Sequence, residues 1–423
     1  MRRLAVLSLH TSPLAQPGTG DGGGMNVYVR ELSSALARTG VTCDVFTRAW
    51  SDDLPAVLSI EPGFRLHHIP AGPPSAMAKE DLPTVVDEFA EGVLKRMQSP
   101  GETGETVDDG PLPFDAVHAN YWLSGMAGHR IKHQLNLPLV CTFHTLDRVK
   151  AEATPEEVVA DAPHRRAEAE AEVIRCSDTV LASCEVEAAQ ISELYEADPA
   201  RIRIVAPGVD HAFFGPGDRA QARRALALPS SGPLLLFVGR IQPLKALPTA
   251  IHVLDEMRGG HPDAHLVVVG GPSGPHGQEE LRHSHQVVAE LGLEDRVLFV
   301  PPRPHELLST YYRAADVCIV PSRSESFGLV ALEAAACGTP VVASAVGGLT
   351  TLVDDGRTGY LVEEPDPAAY AAAVRRVFDE PLAAERFCTA SVLRARRYTW
   401  RAAARTLVEL HDELASGRLV ECG

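Results

Sequence analysis

Two basic residues lie five positions apart in a loop that follows an apolar run. The run Leu234–Val238 is typical of a buried strand, and Gly239 separates it from Arg240 and the more distant Lys245. A guanidinium group binds two phosphate oxygens in one plane, and an ammonium group adds a point charge. We therefore predict that Arg240 and Lys245 stabilise a departing diphosphate. A solvated basic turn is the alternative, which the apolar run and Gly239 disfavour.

Two acidic residues, Glu325 and Glu333, follow a second apolar run. Glu325 is predicted to lie in the loop after the strand, and Glu333 in the next helix. Because carboxylates accept hydrogen bonds from hydroxyl groups, we expect Glu325 to bind sugar hydroxyls and Glu333 to bind ribose hydroxyls. The start of that helix, at residues 327–329, offers backbone N–H groups to phosphate oxygens. An exposed helix position is the alternative for Glu333.

A glycine-rich loop, residues 16–26, joins the first apolar run to a predicted helix. The run Leu4–Leu9 precedes the loop, and apolar residues at helical spacing follow it. Glycine allows a ligand to approach the backbone closely, and the N-terminus of a helix favours an anion. We predict that Gly22, Gly23 and Gly24 lie against the diphosphate of a nucleotide.

The same loop has two other interpretations. Glycine-rich loops also occur without ligands. In addition, Gly18, Gly20 and Gly23 fit the G-x-G-x-x-G pattern of dinucleotide-binding folds, with Asp44 near the position of the ribose-binding acid. That pattern places its first glycine directly after the strand, whereas residues 10–17 intervene here. The spacing therefore disfavours an NAD-dependent oxidoreductase.

Short apolar runs alternate with helical patterns along most of the chain. Such alternation predicts parallel sheets with crossover helices, and the runs are too numerous for one small sheet. Residues 206–217 are rich in proline and glycine and mark the best boundary. We predict an α/β protein with two doubly wound Rossmann-like domains, 1–207 and 208–396, that face each other across a cleft. A helical segment, 397–423, is expected to pack back towards the first domain.

The composition excludes several classes of protein. The chain has 423 residues, of which 45% are hydrophobic and 22% charged, and a net charge of -17, so we expect a globular protein without nonspecific affinity for nucleic acid. No apolar run is long enough to span a membrane, and Leu4–Leu9 is too short for a signal peptide. The eight cysteines are scattered without a C-x-x-C pair, which predicts reduced, buried thiols rather than disulfides or zinc sites. These features predict a cytoplasmic protein.

Isolated polar residues of the first half are further candidates for binding an acceptor, although each one alone is more often structural. They are His10, Asn26, Lys79, Tyr121, Thr145, Arg165 and Arg166.

The glycine-rich loop, the segment 239–245 and the pair Glu325 and Glu333 together resemble the retaining glycosyltransferases of the GT-B fold, family 4. The resemblance covers nearly the whole chain. Within that family, segments 10–28, 79–83, 121–125 and 237–245 are similar to the members that begin mycothiol synthesis. The resemblance implies a hexosyltransferase that moves N-acetylglucosamine from UDP-N-acetylglucosamine to 1D-myo-inositol 3-phosphate.

The resemblance also implies the roles of individual residues. UDP-N-acetylglucosamine would be held by Gln16, Pro17, Gly24, Arg240, Lys245, Arg303, Glu325 and Glu333. The acceptor would be held by His10, Asp21, Gly22, Gly23, Gly24, Met25, Asn26, Lys79, Tyr121, Thr145 and Arg166. Its phosphate would be surrounded by Lys79, Tyr121, Thr145 and Arg166, unless Arg165 takes the place of Arg166.

The chemistry implied by the resemblance is transfer on one face of the sugar, where a donor phosphate oxygen takes the acceptor proton as the new bond forms. Arg240, Lys245 and Glu325 would be catalytic, and the backbone carbonyl of His144 would support positive charge on the donor sugar. No cofactor would be required. A structural Mg²⁺ would lie at the positions of Tyr312, Arg313, Ala315 and Thr339. The implied partners are a nucleotide-sugar donor, a small anionic acceptor and a second copy of the chain in a homodimer.

The chain departs from the family pattern mainly on the acceptor side. The motif Phe143-His144-Thr145 continues as 146–155 without the asparagine and the acidic segment that family members often have. A family 4 enzyme with another acceptor, and with another nucleotide sugar such as a GDP-sugar, therefore stays open as an alternative. A nucleotide-sugar binding protein without catalysis is a further alternative, which the presence of Arg240, Lys245, Glu325 and Glu333 disfavours.

Overall fold

The structure is a computed structural model that describes residues 1–98, 114–153 and 165–422. The contacts divide these residues into two compact units. Unit 1 comprises the described parts of Met1–Leu14, Met25–Ala206 and Trp400–Gly423, and unit 2 comprises Ala15–Gly24 and Pro207–Thr399. Most of the glycine-rich loop is thus part of unit 2, although its position in the sequence had suggested the first domain.

Unit 1 contains a sheet whose strands are β1 (Arg3–Leu7), β2 (Thr42–Arg48), β3 (Val57–Glu61), β4 (Phe64–Ile69), β5 (Ala116–Asn120), β6 (Leu139–Thr142), β7 (Thr179–Ala182) and β8 (Ile202–Ile204). Their order is β3-β4-β2-β1-β5-β6-β7-β8. All neighbours pair in parallel except β3 and β4. In the central register, Leu4 of β1 lies between Cys43 of β2 and Ala116 of β5. The strand order therefore reverses between β1 and β5.

The helices of unit 1 follow the strands as crossover connections. They are α1 (Gly24–Ala37), α2 (Val86–Gln98), α3 (Trp122–Leu135), α4 (Asp147–Ala153), α5 (Arg165–Cys176), α6 (Glu185–Tyr195) and, near the end of the chain, α15 (Trp400–Ser416). The buried faces of α2 and α3 pack with the strands in one apolar core. The ring of Trp400 on α15 lies 5.8 Å from the ring of Tyr28 on α1, so the last helix is part of unit 1.

Unit 2 contains a sheet with the strands β9 (Leu234–Val238), β10 (His265–Val269), β11 (Val297–Val300), β12 (Val317–Val320), β13 (Val341–Ser344) and β14 (Gly359–Val362). All pairs are parallel, and the order is β11-β10-β9-β12-β13-β14. The helices are α7 (Arg219–Ala225), α8 (Leu247–Glu256), α9 (Gly277–Glu290), α10 (Leu308–Ala314), α11 (Leu329–Ala336), α12 (Leu349–Leu352), α13 (Pro367–Asp379) and α14 (Pro381–Ala395). This is the strand order of a doubly wound nucleotide-binding fold, which confirms the predicted fold class.

The apolar runs Leu4–Leu9 and Leu234–Val238 correspond to β1 and β9, whereas no apolar run indicated β3. Strands buried on both faces form continuous apolar runs, as Leu234–Val238 does, and are easy to recognise. β3 lies at the edge of its sheet, pairs antiparallel with β4, and has no buried residue. Such a strand lacks the apolar run on which the prediction depended.

Asp44 belongs to the sheet of unit 1 and has a structural role. Its buried carboxylate accepts hydrogen bonds from Arg3 at 2.7 Å, Arg65 at 2.9 Å and His67 at 2.7 Å. Burial alone would raise the pKa of this carboxyl, but His67, Arg65 and Arg3 hold it well below its usual value. A carboxylate occupied in this way does not serve as the ribose-binding acid of a dinucleotide fold.

Three histidines of unit 1, the buried His118 and His411 and the partly buried His144, are held in the neutral form. Burial lowers the pKa of His118 to about 3, of His144 to about 3 and of His411 to about 4. The proximity of His411 and His144 lowers the pKa of His118 further, since like charges repel. Among the described residues, both ring nitrogens of His411 are buried without a hydrogen-bond partner.

We expect the free energy of unfolding to fall as the pH is lowered from 7 to 5. In this range the unfolded chain binds protons at these histidines and the folded chain does not, so the loss is on the order of 1–2 kcal/mol for each histidine. The variant His411→Leu should lose about one third of this pH dependence, because one of three histidines is removed. Urea unfolding at pH 7 and pH 5 measures the effect, with the exposed His283→Leu as control. Equal pH dependence in His411→Leu and the wild type would contradict it.

Candidate functional site

The predicted donor residues of unit 2 gather where the strand order reverses. β9 and β12 are neighbours in the sheet and parallel, so their carboxyl ends lie side by side. The loop after β9 carries Arg240 and Lys245, and the loop after β12 carries Glu325. In open α/β sheets, ligands bind outside the carboxyl ends of the strands at this switch point.

Lys245 and Glu325 form an ion pair at the switch point. Lys245 ends a short 3-10 turn, and its ammonium group donates to Oε1 of Glu325. The hydroxyl of Ser322 donates to the same oxygen at 3.1 Å. Both contacts use Oε1, so neither of them occupies Oε2 of Glu325, which can accept a further hydrogen bond. Lys245, which is predicted to bind the diphosphate, and Glu325, which is predicted to bind the sugar, are therefore direct neighbours.

A glycine turn fixes the backbone beneath Glu325. The N–H of Gly348 donates to the carbonyl of Glu325 at 3.0 Å. Gly347 has a φ of 47°, and a Cβ there would lie 1.9 Å from the same carbonyl oxygen. Only glycine permits this approach, so the two glycines fix the position of the Glu325 loop.

Arg240 lies against the glycine-rich loop. A Cβ at Gly23 would lie 3.1 Å from Nε of Arg240, so the side chain passes close to the loop backbone. A Cβ at Gly22 would lie 2.7 Å from the carbonyl oxygen of Gln16, and the N–H of Gly22 donates to Thr19 at 2.9 Å. The glycines thus close a tight turn and bring the loop to the predicted phosphate-binding cation.

The remaining predicted donor residues lie in or beside this loop. Gln16 and Pro17 are in it, and a Cβ on Gly24 would lie 3.3 Å from the side chain of Leu329 at the start of α11. A Cβ on Gly18 would lie 3.3 Å from Pro302, which precedes the exposed Arg303. The loop and the segment after β11 are therefore in contact within unit 2, and the roles of these residues stay predictions.

Glu333 is buried on α11, and the alternative of an exposed helix position is wrong. Its carboxylate accepts hydrogen bonds from His305 Nε2 at 2.7 Å and from the Tyr312 hydroxyl at 2.8 Å. Burial and the charge of Glu333 raise the pKa of the Tyr312 phenol well above its usual value, so the phenol remains a donor. A ribose hydroxyl could bind Glu333 only through the carboxylate lone pairs that His305 and Tyr312 do not occupy. These partners could not be predicted from the sequence, because they come from a separate segment.

The four predicted magnesium positions lie together at the end of α10. The hydroxyl of Thr339 donates to the carbonyl of Tyr312 at 2.6 Å, and the N–H of Ala315 donates to the same carbonyl at 3.2 Å. Arg313 donates to the carbonyls of Gly215, at 2.7 Å, and Phe213. These four residues offer Mg²⁺ only neutral oxygens and no carboxylate. Because Arg313 also carries a positive charge, they form a weak ligand set for the ion. Magnesium binding therefore stays a prediction.

In unit 1, the predicted acceptor residues gather at the corresponding switch point between β1 and β5. His10 follows β1, Tyr121 follows β5, and their rings lie 4.5 Å apart. The ammonium of Lys79 and the guanidinium of Arg166 each lie 5.0 Å from the centre of the Tyr121 ring. Within the described residues, the buried hydroxyl of Tyr121 has no hydrogen-bond partner. Two cations and a free hydroxyl are suited to an anionic ligand.

Arg166 is held in place by its neighbours. It donates to Glu170 at 2.8 Å and to the carbonyl and hydroxyl of Thr145 at 2.9 and 3.2 Å. Glu170 is fully buried and also accepts a hydrogen bond from Tyr195. Arg165 at the start of α5 is exposed, so the geometry favours Arg166 for the predicted role. A role for Glu170 was not predicted, because in the sequence it is only one of several acidic residues on a helix.

His144 has a constrained backbone and a neutral ring. Its φ is 62°, which is unusual for a residue other than glycine. Nε2 of the ring lies 2.9 Å from Oδ1 of Asn120, and the centres of the His144 and Tyr28 rings lie 4.8 Å apart in an edge-to-face arrangement. Because burial lowers its pKa to about 3, the ring is not a cation at neutral pH. This is compatible with the predicted role of the backbone carbonyl.

The other predicted acceptor residues are divided between the units. Asp21 to Gly24 belong to unit 2, whereas Met25 and Asn26 belong to unit 1. The buried side chain of Asn26 donates to the hydroxyl of Thr11 at 2.9 Å and to the carbonyl of Ser12 at 2.6 Å. These bonds fix the segment after His10, so the observed contacts of Asn26 are structural.

Comparisons with known proteins assign both halves of the chain to glycosyltransferases. Residues 23–208 match the family described as Glycosyl transferase 4-like domain, and residues 218–391 match Glycosyl transferases group 1. These two ranges contain most of the strands of unit 1 and all of those of unit 2.

Individual relatives resemble the chain over nearly its full length. A D-inositol 3-phosphate glycosyltransferase of Acidothermus cellulolyticus is 46% identical, over 94% of this chain and 87% of the relative. D-inositol 3-phosphate glycosyltransferase 2 of Catenulispora acidiphila is 44% identical, over 97% and 95%. The structure of sucrose-phosphate synthase from Thermosynechococcus elongatus superimposes with a TM-score of 0.88 at 34% identity, covering 98% of this chain and 99% of that one.

The family, the fold and the arrangement of the switch points agree with one another, and an NAD-dependent oxidoreductase is not supported by any of them. In the part of the chain that the structure describes, none of the helices has the length and apolarity to cross a membrane. The chain is an enzyme that belongs to the family 4 glycosyltransferases of the GT-B fold.

Proposed function

We propose that the enzyme transfers N-acetylglucosamine from UDP-N-acetylglucosamine to 1D-myo-inositol 3-phosphate with retention of configuration. This is the first step of mycothiol biosynthesis. The observation that carries the proposal is the pair of cations, Lys79 and Arg166, beside the ring of Tyr121. Two of the relatives, D-inositol 3-phosphate glycosyltransferase and sucrose-phosphate synthase, are named after phosphorylated sugars or inositols. These names agree with a phosphorylated acceptor, which a pair of cations would bind.

In this proposal, unit 1 binds the acceptor phosphate. Lys79 and Arg166 supply charge, and the hydroxyls of Tyr121 and Thr145 supply further hydrogen bonds. Because Arg166 is fixed by Glu170 and Thr145, its guanidinium is oriented before the ligand arrives. An inositol without phosphate would form no ion pair with Lys79 and Arg166 and would bind weakly.

Unit 2 binds the donor in this proposal. The oxygen of the acceptor hydroxyl attacks the anomeric carbon, the bond from that carbon to the diphosphate breaks, and a donor phosphate oxygen takes the hydroxyl proton. Arg240 and Lys245 stabilise the charge that develops on UDP. Glu325 uses its second carboxylate oxygen for a sugar hydroxyl, and it holds Lys245 in position. We also propose that the enzyme works as a cytoplasmic homodimer and that any bound magnesium is structural.

A product assay tests this function. The purified chain is incubated with UDP-N-acetylglucosamine or a GDP-sugar, and with inositol 3-phosphate or a hexose phosphate, and the products are identified by mass. We expect a product from UDP-N-acetylglucosamine and inositol 3-phosphate. A product from another pair alone would replace the proposed donor or acceptor, and it would support the alternative of a family 4 enzyme with another acceptor.

A further inference from the structure

A group of histidine and cysteine side chains in unit 1 takes no part in the predicted donor and acceptor sites. It consists of His129, His133, Cys176 and Cys422. His129 and His133 are four positions apart on α3 and therefore share one helix face. Cys176 is the last residue of α5, and Cys422 lies in the segment that follows α15. Three separate parts of the chain thus contribute to the group.

The distances between the ligand atoms suit a single metal ion. One ligand atom each from His129, Cys176 and Cys422 lies within 4.8 Å of the others. Sγ of Cys422 is 3.6 Å from Nε2 of His129 and 3.1 Å from Nε2 of His133. In a tetrahedral zinc site, bond lengths of roughly 2.0–2.3 Å place the ligand atoms about 3.3–3.8 Å apart. His129, Cys176 and Cys422 lie close to this arrangement, whereas His133, which contacts Cys422, needs a larger side-chain movement to complete it.

The surroundings of His129 also resemble those of a metal ligand. Its Nε2 faces the thiol of Cys422, and its Nδ1 lies 4.0 Å from the carboxylate of Glu172. Metal-bound histidines commonly donate the other ring N–H to a carboxylate, which fixes the tautomer and the ring orientation. At 4.0 Å, Glu172 lies beyond hydrogen-bond distance and would have to approach His129 by about 1 Å to do this.

A buried ion pair holds the two cysteine segments in place. Lys132 and Asp178 are both almost fully buried and lie 2.8 Å apart. Lys132 donates to the backbone carbonyl of Cys176 at 2.9 Å, and Asp178 accepts from the N–H of Val420 at 2.7 Å. The backbones of Cys176 and of the segment that carries Cys422 are therefore positioned by contacts that do not depend on a metal.

We propose that His129, His133, Cys176 and Cys422 bind one Zn²⁺ ion, which fastens the segment 417–422 to α3 and α5. Two thiolates and two imidazoles form a soft ligand set that selects zinc over magnesium or calcium. Two thiolates also balance the charge of the ion. The sequence did not indicate this zinc site, because the two cysteines are far apart in the chain and only the fold brings them together.

Zinc binding to the full chain tests the proposal. The reduced protein is treated with a chelator, desalted and given equimolar Zn²⁺, and the bound metal is measured after a second desalting step. Co²⁺ in place of Zn²⁺ reports thiolate ligands through its charge-transfer absorption. We expect about one ion per chain, a thiolate–cobalt band, and a higher Tm with zinc than without it.

The variants separate this site from adventitious binding. Cys422→Ser and His129→Ala should lose the ion and the zinc-dependent rise in Tm. Cys388→Ser, which changes a partly exposed cysteine of unit 2, should keep both. Absence of bound zinc in the reduced wild type, or equal binding by Cys422→Ser, would overturn the proposal. So would a disulfide between Cys176 and Cys422 in protein isolated with its thiols blocked.

Discussion

Replacement of Lys245 by alanine is expected to lower turnover on the order of 10²–10³-fold, because the charge that develops on the departing diphosphate loses one of its two cations. The chain should stay folded. The side chains of Lys245 and Glu325 are 20% and 15% exposed, and Glu325 keeps the hydrogen bond from Ser322. No fully buried charge is left without compensation.

The measurement is kcat at saturating UDP-N-acetylglucosamine and acceptor, with the Tm of each variant. Arg357→Ala removes a cation from an exposed position of unit 2 and should have normal turnover. Lys245→Arg keeps the charge and should recover part of the loss. Normal turnover in Lys245→Ala would exclude the proposed role of this residue.

A second large effect is expected at the acceptor phosphate. Lys79→Gln and Tyr121→Phe should each lower kcat/KM for inositol 3-phosphate about 10–10²-fold, since each removes a hydrogen bond to a charged group. Neither change should destabilise the chain. Lys79 is partly exposed, and the Tyr121 hydroxyl has no hydrogen-bond partner among the described residues. Arg166 is less suitable for this test because its removal would leave the buried Glu170 uncompensated.

The readout for these variants compares two acceptors. Inositol 3-phosphate should lose efficiency in both variants, whereas the slow reaction with unphosphorylated inositol should change little. Lys95→Gln on α2 removes an exposed lysine from the same unit and serves as the control. An equal loss with both acceptors would show that Lys79 and Tyr121 do not act through the phosphate.

The sequence predicted the fold because of how its strands are buried. Strands covered on both faces, such as Val317–Val320, are continuous apolar runs, and their alternation with helices leads directly to doubly wound sheets. Residues that follow such strands then fall at the carboxyl edge of a sheet, which is why Arg240, Lys245 and Tyr121 could be identified in advance. β3 had no such signal.

The partners of the candidate residues could not be read from the sequence, because they come from distant segments. His305 and Tyr312 meet Glu333, and Thr145 meets Arg166, only after the chain has folded. The same is true of the cysteines and histidines of the proposed zinc site. The sequence shows residue types and local spacing, whereas these contacts depend on how helices pack.

The ratio of kcat/KM for inositol 3-phosphate to that for unphosphorylated inositol tests the central claim most directly. It is measured with the wild-type chain and UDP-N-acetylglucosamine as donor. The two cations beside Tyr121 predict a ratio of at least about 10², because each charged hydrogen bond contributes roughly 1.5–3 kcal/mol. A ratio near one would contradict the proposed recognition of the acceptor phosphate.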